Sequence, residues 1–294
     1  YGAAHPYVIN MIERYKRVRK YIDKSDEEFK DLINPDHIYY NFLTIRLLNG
    51  EEISLPTYRI KHELAAGPGG GGIRYIYPRD LKPFTKYFRE NLDNPDEVEI
   101  IWEGIKSLND ADSFSKKFAF DDVLALSMGM TLKNSGARLK LGGAKGGAFL
   151  GKAVEKIIEG RKRYFLIPLT AESDSERLAY ISRAISRDWT DKGIVLWTND
   201  KPAGDVHATF NPNIPRVRIV EWFADEHLKA LYEKGEIPRL DKELGRNLTA
   251  VLNKVYEQEK RCRDNKFLAG FYYAQAAWKY LQDTRKPIPE LGTY

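Results

Sequence analysis

The run Gly142-Gly143-Ala144-Lys145-Gly146-Gly147 holds one charged side chain between two glycine pairs. Glycine has no Cβ to keep other groups at a distance, so the backbone there can press close to whatever the lysine ammonium touches. A second lysine, Lys133, stands twelve residues earlier, at the end of the apolar-periodic run from Val123 to Leu132. Such a layout builds a polar site where a helix meets a strand and a glycine-rich turn. The same residues also fit a glycine-rich loop carrying a solvated lysine, because a short glycine motif is only a hypothesis by itself.

The elements that would position these lysines can be read along the chain. Val8, Met11, Ile12, Tyr15, Val18 and Ile22 recur at helical spacing with Lys and Arg between them, which predicts an amphipathic helix with a basic outer face. Ser25-Asp26-Glu27-Glu28 reads as a capping box that opens a short second helix ending before Pro35. Strand-like runs cover about 40–48 and 53–61, joined by Asn49-Gly50, a pair that predicts a type I′ turn with positive φ at both positions. Gly67-Pro68-Gly69-Gly70-Gly71-Gly72 has five glycines in six residues and reads as a loop embedded in a sheet, since a hairpin leads in and Ile73, Tyr75 and Ile76 lead out.

Residues from about 79 to 117 are charged and aromatic without a clear period, and read as an insertion with one or two short helices. A helix is expected over Phe118 to Leu132, a strand within Arg138 to Leu150, a basic helix over Ala153 to Arg163, and a short strand from Tyr164 to Pro168. Ser173-Asp174-Ser175-Glu176 offers a cap for another helix with Leu178, Ile181 and Ile185 on its inner face. A short strand over Gly193 to Trp197, a loop over Asn199 to His207 and a strand or helix start over Val217 to Trp222 follow. The last third is expected to be helical. One stripe runs through Leu240, Leu244, Leu248, Val251, Leu252 and Val255, another through Phe267, Phe271, Ala274, Trp278 and Leu281, before Pro287 and Pro289.

Composition narrows the classes. The 294 residues allow one large or two ordinary domains, and 43% hydrophobic with 30% charged content is that of a globular chain. The net charge of +5 is spread over 47 basic and 42 acidic residues, unlike the clustered basic face of a nucleic-acid binder. No apolar run approaches the ~20 residues of a membrane span. Cys262 is the single cysteine, and His5, His37, His62, His207 and His227 show no ligand spacing, so no metal site and no intrachain disulfide are expected.

Three separated segments together resemble one family, the amino-acid dehydrogenases acting on glutamate, leucine, phenylalanine or valine, and the hexameric glutamate dehydrogenases in particular. Gly67-Pro68-x-x-Gly71-Gly72-Ile73-Arg74-Tyr75 is similar to the family's first glycine motif. Met130-Thr131-Leu132-Lys133, eight residues, then Gly142-Gly143-Ala144-Lys145-Gly146-Gly147 is similar to its second, and Pro202-Ala203-Gly204-Asp205-Val206 to the loop of the catalytic aspartate. The resemblance implies that Lys145 matches the catalytic lysine, Asp205 the catalytic acid, and Lys133 the lysine holding the substrate α-carboxylate, with Gly142 and Gly143 lining the substrate site. In that setting a lysine crowded by glycines and a second ammonium loses its proton readily, and an aspartate can shuttle protons to the amino nitrogen.

Two departures from the family pattern stand out. Gly70 occupies the position of the lysine that pairs with the glutamate side chain in glutamate-specific members; members acting on apolar amino acids also lack that lysine. An extra residue, Ile76, also disturbs the end of the first motif. Second, no Gly-x-Gly-x-x-Gly follows a strand and no βαβ repeat follows Asp205. Instead, Arg218 to Lys286 resembles the C-terminal helices that fold back onto the family's first domain.

The expected fold is therefore α/β: a domain I-like unit over 1–210, with a mixed sheet flanked by helices and an insertion at about 79–117. Helices over 211–294 would complete the same domain, and the Rossmann domain would be deleted. Without it no dinucleotide cofactor is expected, so Lys145, Asp205 and Lys133 become vestigial. The leading reading is a catalytically inactive, glutamate-dehydrogenase-like structural or accessory subunit in a homo- or hetero-oligomer. The alternatives are an amino-acid dehydrogenase whose NAD(P)-binding domain lies outside this sequence, a regulatory subunit of such an enzyme, and an amino-acid sensor using Lys133 and Lys145. The start at Tyr1, the mild basic charge and the family's usual home give the mitochondrial matrix as the expected compartment, with the cytoplasm second.

Overall fold

A computed structural model describes residues 5–19, 25–47, 49–65, 69–136, 142–171, 174–194, 207–208, 226, 229–230 and 233–234. Helix α1 (Pro6–Arg19) buries Met11 and Tyr15 against Ala125 and Met128, in a small cluster that Val8 and Ile12 border. Helix α2 (Asp26–Ile33) opens on the expected capping box: the Ser25 hydroxyl accepts from the Glu28 amide, and the Glu28 carboxylate accepts from the Ser25 amide. Phe29 is its buried anchor in the same cluster.

Strands β1 (His37–Arg46) and β2 (Glu52–Glu63) form the expected hairpin, but the turn differs. Register ends at Arg46↔Glu52, leaving a five-residue connection over 47–51. Gly50 has φ +84°, whereas Glu159 is the only described non-glycine residue with positive φ, so Asn49-Gly50 does not form a type I′ turn. The Asn49 side chain accepts from the Glu51 amide instead, a local bond that asparagine makes readily.

The main sheet runs β1-β2-β7-β4-β10, where β10 is His207–Ala208, with β3 also paired to β7. Strands β3 (Gly69–Gly70) and β4 (Ile73–Ile76) are parallel to β7 (Gly142–Phe149), and β2 is antiparallel to it. The described part of the glycine-rich run, from Gly69, is thus embedded in the sheet as expected. Helix α3 (Leu108–Gly136) covers one face and α4 (Ser175–Asp191) the other. On the α4 side the Tyr75 hydroxyl bonds Ser182 Oγ at 2.5 Å, and Leu178, Ile181 and Ile185 are buried as the stripe predicts. Asp174 is the α4 cap, accepting from the Arg177 amide.

Three further expectations are corrected. Residues 79–117 hold more than the one or two short helices expected: after a 3₁₀ turn (Pro78–Leu81), β5 (Phe88–Glu90) and β6 (Val98–Ile100) join a second sheet, ordered β5-β6-β9-β8. Helix α3 also begins ten residues before the expected Phe118, because the Ser107 hydroxyl accepts from the Asp110 amide and caps it. The basic helix expected over Ala153 to Arg163 is instead the hairpin of β8 (Gly151–Ile158) and β9 (Arg161–Pro168). Val154, Ile157 and Ile158 fit helical spacing and strand preference alike, and pairing with β9 decides. The two-residue turn with positive φ at both positions lies here, at Glu159 (φ 52°) and Gly160 (φ 74°).

The core fills the space between the two sheets and α3, with Tyr87, Phe88, Phe114 and Phe118 packed against Ile60, Ile76, Val98 and Leu166. The helical stripes expected over 211–294, the boundary near 210 and the strand expected over Gly193 to Trp197 lie outside the described residues, save Gly193 and Ile194 and the few α-helical or turn positions between 226 and 234. Among the described residues no helix is long and apolar enough to cross a membrane.

Candidate functional site at the crossing of two glycine runs

The two glycine motifs meet backbone to backbone. Gly69 pairs with Gly142 and Gly70 with Gly143 in parallel register. Asn134, on the last turn of α3, clamps the crossing: its Nδ2 donates to the Gly142 carbonyl at 2.7 Å and the Gly70 carbonyl at 3.3 Å. From the opposite face of the sheet, the buried guanidinium of Arg59 donates to the carbonyls of Gly71 (3.0 Å), Gly72 (3.4 Å) and Gly69 (3.4 Å). The Gly146 amide donates to the Gly72 carbonyl at 2.7 Å.

These glycines are required by packing. A Cβ on Gly71 would lie 1.6 Å from the Ala144 carbonyl oxygen, and one on Gly143 would lie 2.0 Å from Thr131 Oγ1. Thr131 is itself fixed by His62. Nε2 of that imidazole lies 3.2 Å from the Ile33 carbonyl, which can only accept, so Nδ1 accepts the Thr131 hydroxyl at 2.9 Å.

The structure brings Gly70, Gly142 and Gly143 together, with Lys145 two residues along the same strand. Side chains alternate along β7. Gly143 and Gly147 face Thr131 and Val123 of α3, so Lys145 between them stands on the α3 face and is 2% exposed. Lys133 is exposed on the last turn of α3, where a cation suits the helix dipole. Asp205 lies outside the described residues; two residues on, His207 pairs with Arg74 and Ala208 with Tyr75, at the edge of β4.

A buried charge group borders the strand. Arg74 Nε lies 3.0 Å from Asp122 Oδ2. Burial pushes the Asp122 carboxyl up, while Arg74 and Lys145 draw it back down. Burial likewise pushes Asp80 up to about 6, against the Tyr77 amide that donates to it and against Arg74 and Arg79. Among the described residues no group of three or more His, Cys, Asp or Glu side chains could hold a metal ion.

Sequence reasoning did not single out Arg59, Asn134, Asp122 or Trp189. Asn134 had a signal, since it adjoins Lys133 and is polar at a position on the inward side of α3. Arg59 had none, because a charged residue in an apolar strand run reads as a solvent-facing position until the fold buries it.

A mixed sheet covered by α3 and α4 and crossed by two glycine runs is similar in fold to part of the glutamate dehydrogenases. Residues 112–159, which form most of α3, β7 and β8, match the family model described as "Glu/Leu/Phe/Val dehydrogenase, dimerisation domain". The chain is glutamate-dehydrogenase-like. It is 27% identical over 203 residues to the glutamate dehydrogenase of Aeropyrum pernix, an alignment covering 69% of this chain and 33% of that protein. In fold it is similar to the leucine-bound, hetero-hexameric glutamate dehydrogenase of Thermus thermophilus (TM-score 0.50, 16% identity), over 79% of this chain and 40% of that one. The glutamate dehydrogenase of Peptoniphilus asaccharolyticus aligns at 20% identity and TM-score 0.48, over 77% of this chain and 41% of its own. The chain thus spans between a third and about two-fifths of the length of these relatives.

Proposed function

We propose that this chain is a non-catalytic, glutamate-dehydrogenase-like subunit whose role is assembly into a larger protein complex. One observation carries the assembly role, the outer strand of the main sheet. β1 ends the sheet among the described residues, and Ile38, Tyr40 and Phe42 on its α3 side are 53%, 48% and 44% exposed. Tyr40 stacks on Tyr58 at 5.5 Å and Lys116 lies 4.4 Å over the Phe42 ring, so these side chains are held in place while still open to a partner. The strand His37–Arg46 contains no Lys, Pro, Asp or Glu, the residues that ordinarily keep a sheet edge from pairing. The dimerisation domain named by the family model and the hexamer formed by the Thermus relative support the same reading.

Loss of catalysis is supported by the lack of a Gly-x-Gly-x-x-Gly fingerprint after Asp205 within these 294 residues, whereas Gly70 at the family's side-chain lysine position argues only against glutamate as the substrate. Retention of Lys133 and Lys145 at family spacing supports the second reading, an amino-acid dehydrogenase with its cofactor domain outside this sequence.

Sedimentation velocity of the purified protein, paired with NAD(P)-linked oxidation of an amino-acid panel, separates them. The expected result is an assembly that Tyr40→Lys with Phe42→Lys reduces to the single chain, with no turnover. A species that stays single at every concentration, with no copurifying protein, sinks the assembly role. Measurable turnover, or an intact mass well above 33.9 kDa, favours the enzyme. The mitochondrial matrix remains the proposed compartment, and imaging of the tagged protein outside mitochondria would overturn it.

A further inference from the structure

The second sheet turns one face to the core. Val98, Ile100, Tyr164 and Leu166 point inward into the cluster of Phe114 and Phe118. Side chains alternate along a strand and paired residues share a face, so the register fixes what points outward. Arg89 stands beside Glu99, Glu99 and Val154 flank Phe165, and Lys156 stands beside Arg163. Lys152 and Arg161 lie on the same outer face of the β8–β9 hairpin and are exposed.

Charges on this face are sorted by depth. Glu97 and Glu99 are 8% and 6% exposed. The side chains that pair with them, Arg89, Lys156 and Arg163, are 58%, 37% and 33% exposed. Glu99 is shared: its Oε2 accepts from Arg89 Nη2 at 2.7 Å and from Arg163 Nη2 at 2.5 Å. One carboxylate between two guanidiniums leaves a positive charge unmatched at that point. Lys156 and Arg163 also lie 5.0 Å and 5.8 Å from the centre of the Phe165 ring, which fixes both heads in place. Five cations thus stand over two buried acids, with the half-buried Val154 and Ile158 between them. Side chains ordered before binding lose less freedom when a partner docks.

The complementary surface is α2. Its eight residues hold four acids and one lysine. Phe29 and Ile33 turn inward, which leaves Glu27, Asp31 and Leu32 outward, with Leu32 40% exposed. Glu27 and Asp31 lie one turn apart on one side of the helix. Helix α2 packs in the cluster of Met11, Tyr15 and Met128 and the second sheet packs on Phe114 and Phe118, so the two surfaces belong to different parts of one chain.

We infer that the outer face of the second sheet receives α2 of a second copy of this chain, with the Glu27 and Asp31 carboxylates among the sheet's cations and Leu32 on Val154 and Ile158. This inference rests on the assembly reading and adds a second contact to the one at β1. The contact joins two different surfaces, so it runs head to tail and extends β1-joined copies into a ring or a longer array. Being made largely of exposed charges, it weakens with salt and holds only once β1 has brought copies together.

Charge reversal on the full chain, read by sedimentation velocity at low and high salt, tests it. Lys152→Glu with Arg161→Glu reverses the sheet, and Glu27→Lys with Asp31→Lys reverses the helix; these exposed positions leave the Glu99 network and the Ser25–Glu28 capping box intact. Each reversed pair is expected to weaken the head-to-tail association at least about tenfold, and so to shrink the assembly to the species held by β1, as high salt does to the unsubstituted protein. The variant carrying all four substitutions is complementary again and is expected to regain the original size, which also shows that the reversals fold. An assembly unchanged by either reversal, or no recovery with all four, overturns the inference. Loss on reversing the sheet with no effect of reversing α2 assigns this face to an acidic partner protein and overturns the second-copy assignment. If Tyr40→Lys with Phe42→Lys disperses an assembly that both reversals leave intact, this inference fails and the assembly reading stands. A chain that stays single at every concentration, with no copurifying protein, ends both.

Discussion

Gly146 of β7 lies beneath Trp189 of α4 so closely that a Cβ added there would sit 2.5 Å from Cη2 of the indole. The same indole lies 5.9 Å from the Arg59 guanidinium, and Arg59 pairs with Gly146 in the β2/β7 register. One aromatic ring therefore presses on the second glycine motif and on the arginine that clamps the first. Gly146→Ala is expected to destabilise the protein by about 1–3 kcal/mol through overpacking. Trp189→Phe placed on top of it should return part of that loss by opening the contact. Urea unfolding of the three variants decides; an unchanged midpoint for Gly146→Ala would mean that the helix yields freely.

Arg59 bonds three carbonyls of the first glycine run, and Arg59→Met removes its guanidinium from all three, leaving the Gly72 oxygen only the Gly146 amide. The expected cost is about 2–4 kcal/mol. Arg59→Lys should be nearly as damaging, since one ammonium cannot span the fork. Hydrogen exchange at the Gly146 amide, which donates to the Gly72 carbonyl, provides a local readout. Faster exchange there in both variants is expected, and unchanged protection would show that the sheet holds the loop without Arg59.

Two buried groups push acid stability in opposite directions. Asp80 is raised from 3.8 to about 6 by burial, so the folded state holds its proton more tightly and Asp80 makes stability fall as pH rises through that window. His5 is lowered from 6.5 to about 4 by burial, then by Lys117 and Arg74, so the unfolded state binds the proton and stability rises with pH across that window. In the unsubstituted protein the two nearly cancel between about pH 4 and 6. Asp80→Asn should leave a rising stability curve and His5→Phe a falling one. Denaturant titrations at several pH values check the signs, and two parallel curves would contradict both assignments.

Glu159 holds φ 52° at the tip of the β8–β9 hairpin, a conformation that costs a branched or long side chain more than asparagine or glycine. Glu159→Asn supplies the residue pair preferred in such turns, Asn-Gly, and is expected to stabilise the protein by about 0.5–1 kcal/mol. Thermal melts would show it; a lower Tm would point to a lost attraction between Glu159 and Arg163, which feels its charge.

The sequence by itself determined the local decisions. Ser25 and Glu28 cap a helix because their side chains satisfy each other's backbone within four residues. The stripe of Leu178, Ile181 and Ile185 faces inward because its period is helical. The glycine motifs with Lys133 and Lys145 carry their own spacing, and that was enough to indicate the family. What only tertiary structure decided has long-range causes. β5 and β6 are three residues each and exist because β9 lies alongside, with Val98 opposite Leu166. Ala153 to Arg163 satisfies two periods at once, so its strand partner had to choose. Above all, the burial of Lys145 follows from α3 descending onto Gly143 and Gly147. A one-dimensional string records the glycines but not what presses on them, because close packing is a property of surfaces brought together from distant parts of the chain.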